Sequence, residues 1–364
     1  MQSTVTKIGV NDMTYDYDRA VVIGRFSSFF HRGHEMLIYK ALQTAENVAV
    51  VFGSSHCYPN TINPLPTLVR VRMFKEWMSE NLTPYEQKRV TFGNVPDYRY
   101  NEDRWQAEVR EQAGEKAGEK VAMVAYDKDA DSYWIRSFGW DHIQCMGVQN
   151  HGADISNTPM RDEFLRTGVI NGAFPINPTV RSFLSVYWNT EGRELRDRLM
   201  EERKMWDNEL AKFENYPYRE ALNCNTADAV VTCNNHILLI ERKHAPGKDA
   251  LALPGGHKNA NETFQQCAVR ELFEEVKIEV KEKDIIGSIK AHEVFDHPKR
   301  TAEFCKPTVA YYIVLSPGPN GELPAVNADD DAKAAFWMPM HIYKKNRARM
   351  FDDHAEIISR FTGI

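Results

Sequence analysis

Two groups of residues in this chain have types and spacings that could do chemistry. Gly24-Arg25-Phe26 closes a short β-branched run that begins at Ala20, and His31, Gly33 and His34 open the helical spacing that follows. At a strand-to-helix junction, glycines let the backbone approach a phosphate closely and the helix N-terminus offers unpaired N–H groups and positive potential. Two imidazoles beside it can donate hydrogen bonds to phosphoryl oxygens, so the arrangement suits a triphosphate. The second group starts at Gly256: five residues separate it from Glu262, seven more lead to Arg270, and Glu271-Leu272-Phe273-Glu274-Glu275-Val276-Lys277-Ile278 follows. At about 100° per residue, Glu271, Glu274 and Glu275 share an arc of about 100° on a helix, with Ala268, Val269, Leu272 and Val276 on the adjoining apolar side. Three carboxylates facing one point repel one another, and a hard divalent cation with oxygen ligands, Mg2+ or Mn2+, relieves the repulsion. A run of charge on a helix usually meets water, so a solvated acidic face is the plain alternative.

The elements that must hold these groups can be read from periodicity. AVVIGRF, GHEMLIYKALQTA and NVAVVFGSS read strand, helix, strand, and RVTFGNV, KVAMVAY and HIQCMGV continue the strands, separated by helical stretches around NEDRWQAEVREQAG and DADSYWIRSFG. This alternation predicts an α/β unit with a doubly wound parallel sheet that binds ligands at its strand ends. Further on, ADAVVTC and HILLIERK read as a hairpin-like pair, LALPGGHKNANETFQQCAVRELFEEVKI as strand, loop and helix, and TVAYYIVL, KAAFWMPM and DDHAEIISRF as mixed β and α. Between the halves lies a densely charged stretch with Leu195, Leu199, Trp206 and Leu210 on one helical stripe. It is either a connecting helix or the last helix of the first domain, and we place domains at 1–189 and 216–364 with the helix at 190–215.

H-x-G-H after a first strand and G-R-F resembles the nucleotidylyltransferases, and the second half of their signature appears as Ile155-Ser156-Asn157-Thr158-Pro159-Met160-Arg161. The resemblance implies a Rossmann-like domain in which His31, His34, Ser156, Thr158 and Arg161, with the loop residues Gly24, Arg25, Phe26 and Gly33, grip ATP. A substrate phosphate would attack the α-phosphorus in line, with catalysis by positioning and charge stabilisation. Taken alone, Thr158-Pro159 is an ordinary helix N-cap and first-turn pair. Four residues, SSFF, stand between Phe26 and His31 where the family has three, so the loop must bulge or re-register. The stretches Val95–Trp105 and Asn63–Arg70 resemble nicotinamide mononucleotide (NMN) adenylyltransferases of the archaeal-like type. That implies Trp105 stacked on the nicotinamide ring, Asp97 and Asn101 orienting the nucleotide, and Arg70 near phosphate; a cationic pyridinium over an indole is favourable. The plain alternative for Trp105 is a core aromatic on an amphipathic helix.

Gly256, Glu262, Arg270, Glu271, Glu274 and Glu275 resemble the Nudix signature. This implies an α/β/α domain with a mixed sheet, metal at Glu271, Glu274 and Glu275, Glu275 in catalysis, and water attacking a diphosphate. Lys277 stands where the family prefers a left-handed glycine C-cap, so a slightly different helix exit is expected. Val294–Arg300 and Asp329–Trp337 resemble segments of ADP-ribose pyrophosphatase-type Nudix domains. Nearly the whole chain is thus similar to the bifunctional NMN adenylyltransferase/Nudix hydrolases of bacteria and their viruses. Such a chain would build NAD from NMN and ATP and cleave ADP-ribose to AMP and a sugar phosphate. The alternatives are another phosphate acceptor, such as nicotinate mononucleotide or phosphopantetheine, and a Nudix half that senses ADP-ribose or NAD without cleaving it.

Composition agrees with small-molecule substrates. A chain of 364 residues with net charge −6 and no block of Lys or Arg offers no stripe for nucleic acid, and 43% hydrophobic content with no long apolar run argues against a membrane span. The N-terminus lacks a basic segment followed by an apolar one, which points to the cytoplasm. Cys57, Cys145, Cys224, Cys233, Cys267 and Cys305 are scattered without a C-x-x-C pair, so a reducing compartment and no structural zinc are expected. His151 and the His56-Cys57 pair read as ordinary loop residues, and homo-oligomerisation stays open.

Overall fold

Strands buried on both faces build the first sheet. In β1 (Tyr17–Gly24) and β2 (Ala45–Phe52) the apolar runs are covered on each side, as strands between two helical layers must be. The computed structural model describes residues 14–127, 130–146, 149–150, 153–217, 223–302, 306–329 and 332–364. The remaining strands of this sheet are β3 (Val90–Asn94), β4 (Val121–Ala125) and β5 (Asp141–Gln144), in the order β3-β2-β1-β4-β5 with every neighbour parallel. Chain direction across the sheet reverses between β1 and β4, which makes the strand ends there a crevice. On one face Phe30, Phe52, Phe74 and Trp77 pack beneath α1 (Arg32–Thr44) and α2 (Thr67–Asn81), and α3 (Pro84–Arg89) leads into β3. On the other, Val21, Val51 and Phe138 pack with Val109 of α4 (Glu102–Ala113), so the sheet is doubly wound as expected.

The stretch DADSYWIRSFG departs from expectation: it forms a 3-10 helix over Ala130–Arg136 rather than an α-helix. Short segments rich in aromatic and β-branched residues gain little from α-helical propensity and settle into the tighter turn. A two-stranded ladder of β6 (Gln149–Asn150) and β7 (Ala153–Asp154) precedes α5 (Asn157–Thr167), α6 (Pro178–Asn189) and α7 (Arg193–Ala211). In α7 Leu199 belongs to the first core, while Glu202 Oε1 accepts the Gly247 N–H at 2.9 Å and the Lys306 ammonium lies 4.9 Å from the Trp206 ring. The helix therefore packs on the first half and touches the second.

β8 (Thr226–Cys233) and β9 (His236–Arg242) form the expected hairpin, joined by Asn234-Asn235 at φ 44° and 60°, the left-handed pair that a two-residue turn needs. β10 (Leu251–Ala252) lies beside β9 and β11 (Gly255–His257) beside β8. After α8 (Phe264–Val276) and α9 (Glu282–Gly287) come β12 (Ile289–Phe295), β13 (Thr308–Leu315) and β14 (Ala332–Pro339). β13 runs parallel to β8 and the other pairings are antiparallel, giving a mixed seven-stranded sheet. α10 (Met340–Asn346) and α11 (His354–Thr362) complete the fold. No helix among the described residues is long and apolar enough to cross a membrane. His151, Glu303–Cys305, Asp330 and Asp331 lie outside the described residues.

α8 starts on a reciprocal cap, Gln266 N–H to Thr263 Oγ1 at 3.2 Å and Thr263 N–H to Gln266 Oε1 at 2.8 Å. It ends on Lys277 at φ 42° and ψ 48°, which corrects the expected change of exit: the lysine adopts the left-handed cap itself. A Cβ in that conformation costs about 1–2 kcal/mol, partly offset because glycine loses more entropy on folding. Lys277→Gly should therefore stabilise the chain by about 0.5–1 kcal/mol, since the exposed Lys277–Asp329 ion pair it removes contributes little. Urea unfolding measures this, and a lower midpoint would contradict it.

Candidate active sites

The C-terminal ends of β1, β2 and β3 open onto a cavity of about 790 Å³ walled in part by Gly24, Arg25, Ser54, Asp97 and Trp105. Phe26 takes φ 46° and turns its ring, 2% exposed, against Phe30, Phe52 and Phe74. A Cβ at Gly24 would come within 2.6 Å of that ring. The longer loop is therefore re-registered by a left-handed turn at Phe26 and by burial of Phe29 and Phe30. Phe26 has only backbone left to offer a nucleotide.

His31 caps α1, and its ring stacks on that of His34 with centroids 3.7 Å apart. A Cβ at Gly33 would lie 3.1 Å from the His31 ring, so glycine leaves room for the stack. His34 Nδ1 accepts the His31 amide at 3.3 Å, which places its ring proton on Nε2. The second motif is fastened to this loop: Asn157 Oδ1 accepts from Ser28 Oγ at 3.0 Å and from the Phe29 amide at 3.3 Å. Arg161 Nη1 donates to the Ile62 carbonyl at 3.4 Å, and Ile62 lines the cavity, although His31, His34, Ser156, Thr158 and Arg161 do not. Ser156, not Thr158, is the N-cap of α5, so the Thr158 hydroxyl is not consumed as a cap and lies exposed in the first turn.

Burial lowers the His31 pKa to about 4, and burial together with the charge of His31 holds His34 well below its usual value. Both rings are neutral at neutral pH. The depressed folded-state pKa of His31 contributes stability that is fully present above about pH 6.5 and is lost as pH falls toward about 4. The loss amounts to roughly 3 kcal/mol. Urea unfolding at both ends of that window should show it, and His31→Gln should flatten the dependence; an unchanged slope would contradict this assignment.

Asp97 accepts from Ser54 Oγ at 3.0 Å and from Arg99 Nη2 at 3.2 Å. Trp105 meets Trp134 edge to face at 5.9 Å, and both line the cavity. Two expectations are corrected here. Asn101 does not line the cavity; its Oδ1 accepts the Arg104 N–H at 3.0 Å and caps α4. Arg70 is 1% exposed, and its guanidinium donates to the carbonyls of Arg25, Gly53 and Ser54 and to Thr67 Oγ1, so it braces the loops that frame the cavity rather than facing it. Trp134, His56 and Cys57 also face the cavity and were missed. For His56 and Cys57 the signal was their place just after the second strand of a doubly wound sheet.

In the second half Glu275, 6% exposed, accepts the Gly255 N–H at 2.9 Å, and burial pushes its pKa up to about 8. Burial also raises that of Glu271. The two glycines are demanded by contact: a Cβ at Gly255 would lie 2.2 Å from Asp228 Oδ1, and one at Gly256 would lie 2.5 Å from Glu271 Oε1. Of the three carboxylates expected to face one point, Glu271 and Glu274 meet at one guanidinium nitrogen while Glu275 is held by the Gly255 amide. Arg270 Nη1 sits between Glu271 at 2.8 Å and Glu274 at 2.7 Å, while its Nη2 and Nε hold Glu262 at 2.7 and 3.0 Å. Among the described residues no three His, Cys, Asp or Glu side chains gather as a metal group. The guanidinium takes up the repulsion that a cation would relieve, and it holds Glu262 down to about 2. The donor set nevertheless fits a hard divalent ion: carboxylate oxygens on adjacent helix turns, with Glu275 buried beside glycines that leave space around it.

Comparison with known proteins places both halves. Residues 223–361 match the NUDIX domain family. Over 134 residues, 37% of this chain and 70% of the relative, the sequence is 31% identical to an ADP-ribose pyrophosphatase of Methanocaldococcus jannaschii. The crystal structure of a bifunctional NMN adenylyltransferase/ADP ribose pyrophosphatase from Francisella tularensis superposes with a TM-score of 0.86 at 31% identity, covering 95% of this chain and 99% of that one. A structure of such an enzyme from the same organism, complexed with AMP and a manganese ion, gives 0.85 at the same identity and coverage.

Proposed function

The chain belongs to the family of bifunctional NMN adenylyltransferase/ADP-ribose pyrophosphatases, and on that premise we propose how its two sites divide the work. The N-terminal site transfers AMP from ATP to NMN, giving NAD and pyrophosphate. His34 Nε2–H, the Thr158 hydroxyl and the Arg161 guanidinium hold the ATP phosphates, with Gly24 and Arg25 at the strand end. Asp97 and Trp105 hold the nicotinamide ribonucleotide. The observation that carries this assignment is Asn157, which ties the second motif to the loop before His31 beside a cavity at the strand ends.

The C-terminal site hydrolyses ADP-ribose to AMP and a sugar phosphate. Glu271, Glu274 and Glu275 would hold a divalent cation, Mg2+ by preference, which supplies Lewis-acid activation of water and phosphoryl oxygen when bound. Glu275, its carboxyl held by the Gly255 amide, takes the proton from the attacking water. Arg270 orients Glu262, Glu271 and Glu274. To test the first acceptor, the full chain is incubated with ATP and, in turn, NMN, nicotinate mononucleotide and phosphopantetheine, with pyrophosphate as the readout. Release with NMN is expected; release with phosphopantetheine alone would reject the assignment.

A further inference from the structure

We propose that the C-terminal domain completes the N-terminal site, with Lys344 and Lys345 at the end of α10 and the adjacent Arg347 holding phosphoryl groups of the nucleotide bound in the large cavity. The inference rests on the adenylyltransferase assignment and deepens it. All three residues line the same cavity as Arg25, Asp97 and Trp105, although they come from the other half of the chain. Among the described residues Lys344 and Lys345 form no ion pair, and the Arg347 guanidinium donates to the Ile364 carbonyl at 3.5 Å. Cations in the last turn of a helix ordinarily complement its dipole and face water. Here they form one wall of a concavity in a chain of net charge −6, where a local positive field is focused on whatever enters.

The cavity is polarised on balance: Asp97, Glu102 and Glu108 outnumber Arg25 and Arg99 on the N-terminal side, while on the C-terminal side five cations, Lys344, Lys345 and Arg347 among them, outnumber Asp352 and Glu356. A nucleotide with a cationic pyridinium at one end and a phosphate at the other has the matching dipole. The two walls are also held in fixed register. Arg99 pairs with Glu356 and donates its amide to the same carboxylate at 2.6 Å, while reaching Asp97 at 3.2 Å. Tyr100 donates to Asp353 at 2.9 Å, and Asp353 pairs with Arg300 at 2.8 Å, their side chains 0% and 3% exposed. Buried pairs of this kind tolerate little displacement, because breaking one leaves an uncompensated charge. His297, Lys299 and Arg300, in or beside the segment that resembles ADP-ribose pyrophosphatases, line this shared cavity too.

The test uses the full chain carrying Lys344→Ala with Lys345→Ala. NAD formation is measured with NMN varied at saturating ATP and with ATP varied at saturating NMN. The KM of the nucleotide whose phosphates they touch should rise about tenfold or more, the loss of one charge-assisted contact, and the two arms tell which nucleotide that is. Lys344→Arg with Lys345→Arg, which keeps the charge, should restore it, and ADP-ribose hydrolysis by the same preparation reports on folding. Unchanged KM for both nucleotides, or a loss that arginine does not restore, overturns the inference. Failure of the unmodified chain to form NAD would instead overturn the assignment beneath it.

Discussion

Replacing His34 by alanine is expected to slow NAD formation by about 100- to 1,000-fold, the cost of deleting one preorganised donor to developing phosphoryl charge, while ADP-ribose hydrolysis continues at the rate of the unmodified chain. The effect should fall on kcat more than on KM, because a donor aimed at charge that develops in the reaction strengthens as the reaction proceeds. His34 suits that role because its Nδ1 accepts the His31 amide, which leaves the ring proton on Nε2. The ring also stacks on His31 and meets Phe26 edge to face at 4.9 Å, so some local stability is lost with it. The second reaction controls for that, since α8 and its glutamates belong to a different core. A decrease of less than fivefold in NAD formation would remove His34 from the phosphate clamp.

The second large effect is the reverse experiment. Glu275→Gln should lower ADP-ribose hydrolysis by about 100- to 10,000-fold, as expected for loss of a positioned proton acceptor, and leave NAD formation intact. Glutamine is isosteric, and its carbonyl oxygen can keep the Gly255 N–H bond. A carboxyl whose folded-state pKa is raised to about 8 destabilises the fold increasingly as pH climbs above its unfolded value. The neutral amide removes that term, so stability at neutral pH, measured without added metal, should not fall. Loss of activity with unchanged or higher stability would separate chemistry from folding. Retention of hydrolysis would move the proton acceptor elsewhere.

Much of both sites was legible in the sequence because their signatures are local. H-x-G-H follows a strand within a few residues, and the glutamates of α8 are arranged by helical periodicity alone. Spacing does not say what a polar side chain is spent on. Asn101 and Arg70 have types suited to a nucleotide site, but one is used as a cap and the other as a brace between loops. Nor does it show that one nitrogen of Arg270 reaches both Glu271 and Glu274. Lys277 kept the left-handed exit because the packing of α8 against its sheet outweighs the strain in one residue. Trp134 lay in a segment read only as a helix. The α10 cations were invisible for a different reason: they reach the first site only through tertiary docking, and contacts between distant segments leave no periodic trace.

The account stands most directly on one observation by phosphorus NMR. The full chain is given Mg2+, ATP and NMN, and a parallel sample of the same preparation is given Mg2+ and ADP-ribose. Growth of the NAD diphosphate and free pyrophosphate signals in the first, and of two phosphomonoesters, AMP and ribose phosphate, in the second, is the predicted result. A first sample whose ATP and NMN signals persist unchanged, or a second in which the ADP-ribose diphosphate persists, would contradict the assignment of that half.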